Sequence, residues 1–187
     1  MREFGFYKVN QEKNRVRQVT GWIVDILAAA ALAVFLVSML LNTSSVNGRS
    51  MEPSLYARDT VLVNRISPDL LPLGRYEVIE FLPEEGLTAS IKRIVGLPGE
   101  RIQIRDGAIY VNDALLEDSP FAGHPITIAG LAEEPVTLGE GEYFVLGDNT
   151  SSSEDSRFAG IGNVPQERIV GRVWLRVSPT SRFGPVH

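Results

Sequence analysis

A chain of 187 residues, 44% hydrophobic and 22% charged, has room for one modest domain and an appendage, and its balance is globular rather than disordered. A net charge of −5 argues against nucleic acid as the main partner, because a phosphate-neutralising domain carries a basic face. With no cysteine and only two histidines, His124 and His187, thiolate catalysis, disulfides, cysteine metal centres and histidine triads fall away together.

The first expected element is a spanning helix, Trp22–Leu41, in which Asp25 is the one charge. At 1.5 Å per residue it just crosses a hydrocarbon core of about 30 Å. Arg2, Lys8, Lys13, Arg15 and Arg17 precede it against Glu3 and Glu12, whereas Asn42 to Gly48 carries no positive charge. The positive-inside rule then makes residues 1–21 a basic cytoplasmic tail, 22–41 a single transmembrane helix and 42–187 an extracytoplasmic domain. A cleavable leader is the competing reading, although its apolar part is usually shorter. A buried helix of a soluble protein fits less well, since Ala28–Val37 shows no polar face.

Beyond Gly48 the pattern becomes strand-like, with β-branched runs between glycine, proline and acidic turns. Strands are expected near Thr60–Arg65, Glu77–Phe81, Ala89–Val95, Arg101–Arg105, Ala108–Val111, Tyr143–Leu146 and Gly171–Val177. Asp106-Gly107 is a strong hairpin signal. Residues 117–140, with Pro120, Pro125 and Pro135, look like an irregular insertion or lid. The fold class is therefore mainly β, an antiparallel sheet preceded by one N-terminal helix.

Three segments carry groups suited to chemistry. Ser50 lies between Asn47-Gly48-Arg49 and Met51-Glu52-Pro53, at a sharp turn, where a serine is either a nucleophile or simply a helix cap. Lys92 sits in the run Ser90–Gly99, and alternation puts it on the side of Ser90 and Ile94, opposite Ile91 and Arg93. Burial there would lower its pKa toward neutrality and make it a general base, whereas exposure would leave it an ordinary surface lysine. The polar loop Gly147–Arg157 is open to two readings. Asp148, Asn149, Glu154 and Asp155 could offer oxygens to calcium, though their spacing matches no EF-hand. Alternatively its hydroxyls and ion pairs position the lysine.

Together the segments resemble the type I signal peptidases, the single-helix form of the serine-lysine peptidases. Gly48–Leu55 looks like the nucleophile box, Lys92–Glu100 like the lysine box, and Gly147-Asp148-Asn149 with Ser153, Asp155, Ser156 and Arg157 like the late box. The resemblance runs from the apolar segment to about Trp174. It implies a partly open β-barrel core and a membrane endopeptidase that removes signal peptides from exported preproteins after an Ala-X-Ala-like site. Ser50 would attack, Lys92 would act as base, Ser153 would orient the amine, and the backbone at Ser50 and Gly48 would hold the oxyanion. Val46, Met51, Leu55, Ser90 and Ile91 would line the substrate cleft, and Arg93, Asp148, Asp155 and Arg157 would form structural ion pairs. It implies membrane lipid as a neighbour, and no cofactor, metal or nucleic acid. A non-cutting assembly or chaperone factor for exported proteins is the alternative. Arg75-Tyr76-Glu77, Ser54 and Thr150 depart from the family pattern.

Overall fold

The computed structural model describes residues 3–66, 72–83 and 88–186, with residues 3–16 and 36–40 described by backbone alone. The chain divides into a helical unit up to Leu40 and a β unit from Leu41 onward. The helix, α1, is Glu3–Leu40, so it begins well before the expected Trp22. Residues 3–21 contain no proline and many Glu, Lys, Gln and Arg, all good helix formers, so nothing stops the helix at the apolar boundary. Within it, Arg17–Phe35 is long and apolar enough to cross a membrane, with mean hydropathy 1.8.

The β unit contains β1 (Leu41–Ser45), β2 (Thr60–Asn64), β3 (Val78–Phe81), β4 (Ser90–Gly96), β5 (Arg101–Arg105), β6 (Ala108–Val111), β7 (Ala114–Leu115), β8 (Val136–Thr137), β9 (Glu142–Leu146), β10 (Val164–Pro165), β11 (Ile169–Ser178) and β12 (Gly184–Pro185). The larger sheet has the order β1-β2-β11-β3-β4-β9-β10, with β12 on β11, and the smaller one β7-β6-β5-β8. Every pairing is antiparallel. The seven expected strands are present with ends moved by a residue or two. Leu41 is the exception to the expected helix boundary. It opens β1, where it pairs with Asn64, because β2 supplies the hydrogen bonds that the polar run Asn42–Ser45 cannot supply itself.

Alternation along β3 sends Val78 to a cluster with Val46, Met51 and Ile91, and Ile79 and Phe81 to another with Ile94 and Val145. A third cluster joins the sheets, with Ile102 and Ile104 from β5 meeting Phe144 and Leu146 from β9. Residues 117–140, expected as an irregular insertion or lid, put Phe121, Ile126, Ala132 and Leu138 into that cluster. Burying Phe121, Ile126 and Leu138 contributes about 1.5–3 kcal/mol each, so the stretch is a packed wall of the domain. Its β8 adds a strand to β5.

Candidate active site

Two apolar anchors fix the segment that carries Ser50. Val46 before it and Met51 after it are both buried in the same cluster. Between them Gly48 turns the chain at φ +78°, a conformation that costs a side chain roughly 1–2 kcal/mol and glycine little. The turn closes with the Leu55 N–H donating to Met51 O at 2.8 Å. Ser50 O in turn accepts the Asn149 N–H at 2.9 Å, tying the serine to the polar loop after β9. The Ser50 N–H has no acceptor among the described residues, so it is free for an incoming oxygen.

Lys92 reaches this serine from β4. Its Nζ lies 3.1 Å from Ser50 Oγ, 3.1 Å from Ser90 Oγ and 3.2 Å from Ile91 O. The lysine is only 4% exposed. Burial lowers its pKa below the ordinary lysine value by making the ammonium costly, and the Asp155 and Glu154 carboxylates partly oppose that shift. The amine is paired to two hydroxyls and a carbonyl, with no carboxylate in contact among the described residues.

Ser90 and Lys92 meet because residues two apart on a strand share a face. Ser153, the residue expected to orient the amine, does not bond it. Its Oγ is buried without a hydrogen-bond partner, close behind Gly147, where an added Cβ would sit 2.2 Å from it. The second hydroxyl on the amine is therefore that of Ser90, which had been expected to face substrate.

The loop is held by two buried arginine–carboxylate forks. Arg93 donates from Nε and Nη2 to the two oxygens of Asp148, each at 2.7 Å, and from Nη1 to Tyr76 O at 2.7 Å. Arg157 grips Asp155 at 2.8 and 2.9 Å and reaches Ile128 O and Thr150 O at 3.0 and 2.7 Å. Asp155 also accepts the Gly147 N–H. Both aspartates are thus committed to arginines, which removes two of the four oxygen donors that a calcium loop would need.

The three departures from the family pattern also find their places. Thr150 serves Arg157 through its carbonyl, so its side chain is free to vary. Ser54 Oγ accepts from Arg93 Nη2 at 3.3 Å. Tyr76 sits at φ +71°, fixed by its N–H to Ile94 O at 2.8 Å and by its carbonyl on Arg93.

Ser50 and Lys92 open onto a cleft of about 270 Å³ that Val46, Met51, Ser90 and Ile91 also line. Leu55 is fully buried beneath it, in the cluster that backs Val46, Met51 and Ile91. Glu154 stands in the wall. Sequence reasoning had weighed it only as a metal ligand, because nothing in the order of residues shows which side of a polar loop faces a cleft. A larger cavity of about 340 Å³ lies by β6 and β7, where Ser119 accepts the Phe121 N–H.

The chain matches the family model described as signal peptidase, peptidase S26, over residues 19–178. It is 34% identical to the probable signal peptidase I-2 of Synechocystis sp., over 84% of this chain and 72% of that protein. It is 33% identical to signal peptidase I of Bacillus caldolyticus, over 87% of this chain and 91% of that protein. A crystal structure of a signal peptidase I from Enterococcus faecalis superposes with a TM-score of 0.45 at 32% identity, covering 54% of this chain and 95% of that one.

Proposed function

The chain belongs to the signal peptidase family, peptidase S26, and from that premise we propose that it is a membrane-anchored endopeptidase removing signal peptides from exported preproteins after an Ala-X-Ala-like site. The observation that carries the mechanism is a buried amine 3.1 Å from a hydroxyl, within reach for proton transfer.

In this reading the Ser50 hydroxyl donates its proton to neutral Lys92 as Oγ attacks the scissile carbonyl. The Ser50 backbone N–H, with the turn at Gly48, faces the oxyanion that forms. Lys92 then returns the proton to the leaving amine, and in the second half takes one from the water that releases the acyl group from Ser50. Ser90 keeps the amine aimed, and the two arginine forks keep the loop from moving. A non-cutting assembly factor would gain nothing from burying a lysine at this cost.

The helix supports the anchoring, since Arg17–Phe35 can span a bilayer. The basic residues before it and the uncharged stretch after it favour a cytoplasmic N-terminus with the β unit outside. Ser50, only ten residues beyond the helix end at Leu40, would meet a substrate whose own apolar segment is still in the membrane.

Ser50→Ala and Lys92→Ala are each expected to lower cleavage of an Ala-X-Ala precursor by roughly 10³-fold or more, as losing one member of a coupled pair does. Turnover near wild type in either folded variant rules out the pair.

A further inference from the structure

The cleft is electrostatically unbalanced. Among the described side chains that line it, those of Lys92 and Glu154 can carry charge. Lys92 must be uncharged to act as base, so in the competent state Glu154 is the charged side chain among the described residues of the wall.

Among the described residues, no arginine pairs with that carboxylate. Glu154 is exposed and forms no ion pair among the described residues, whereas its neighbours are all taken. Asp155 holds Arg157, Asp148 holds Arg93, and Arg49, beside the nucleophile, holds Glu52. The Glu154 carboxylate lies over Gly160, 3.4 Å from where a side chain there would begin, so no group on that side pushes it from the wall. A carboxylate in the wall of a peptide-binding cleft attracts a cationic side chain and repels an anionic one.

We propose, building on the peptidase reading, that Glu154 is a specificity-determining residue, favouring precursors with lysine or arginine beside the cleaved bond and disfavouring those with aspartate or glutamate there. The residues it reads are those without a small-side-chain requirement: the middle residue of Ala-X-Ala and the first residue after the cut. In a partly solvated cleft the preference for Lys over Asp is about tenfold in kcat/KM at low salt. It shrinks as salt rises, because the screening length falls to about 8–10 Å near physiological ionic strength.

The test uses full-length protein in detergent and a precursor peptide set identical except for Lys, Gln or Asp at each of those two positions. The reading is the Lys-to-Asp ratio of kcat/KM, in which any general loss of activity cancels. Wild type should favour Lys, Glu154→Gln should bring the ratio close to one, and Glu154→Lys should invert it. A wild-type ratio near one at both positions, or a ratio unchanged by both variants, overturns the assignment. Failure of wild type to cut any peptide of the set overturns it differently, by removing the peptidase reading beneath it.

Discussion

Gly147 is the position where packing, without any reacting group, should control the chemistry. A Cβ added there would lie 2.2 Å from Ser153 Oγ and 2.5 Å from Ser50 O, well inside the separation that carbon and oxygen tolerate. Neither neighbour can yield easily. Ser50 O is tied to the Asn149 N–H at 2.9 Å, and Ser153 is buried beside the Asp155–Arg157 fork. Relieving the clash in Gly147→Ala therefore moves the nucleophile segment by about 1 Å, a displacement that typically costs about 100-fold in rate. Overpacking also costs about 1–3 kcal/mol of stability, a loss that a domain with about 5–15 kcal/mol survives. The expectation is a folded protein with a somewhat lower Tm and kcat/KM down about 100-fold on an Ala-X-Ala precursor. Cleavage assays run beside thermal unfolding separate the two effects. A folded Gly147→Ala variant with wild-type kcat/KM would show that the loop does not position Ser50.

The Glu80 side chain is buried on β3, which pairs Glu80 with Ile91, and it makes no hydrogen bond to a described residue. Replacing it by valine, the residue type of Val78 on the same face, should stabilise the domain by about 1–3 kcal/mol and raise Tm by several degrees; a lower Tm by calorimetry refutes this. The rate should rise with pH as Lys92 loses its proton. Since burial lowers that pKa while Asp155 and Glu154 hold it up, Glu154→Gln removes one opposing charge, and the acidic limb of the kcat/KM profile should move to lower pH. A limb that stays in place or moves upward would mean that the carboxylate does not feel the amine.

Much of the molecule was legible from local pattern. A largely apolar run of twenty residues with a basic flank specifies a candidate span wherever it occurs, and β-branched alternation marked the seven main strands because a half-buried strand repeats every two residues. The same alternation placed Ser90 on the side of Lys92. Other features had no local signal. The polar run Asn42–Ser45 is a strand only because β2 lies beside it, and residues 117–140 look irregular because their apolar residues answer to the contacts of two sheets and to no period.

The sequence by itself determined which groups were available for chemistry: one candidate serine, one lysine and a polar loop, in an order that resembles a single family. Only the tertiary structure decided what those groups do to one another. Ser50 and Lys92 lie 42 positions apart, and the desolvation that lowers the lysine's pKa belongs to the cluster around it and not to the residue. The same holds for Glu154, which only folding brings into the wall of the cleft beside Ser50 and Lys92.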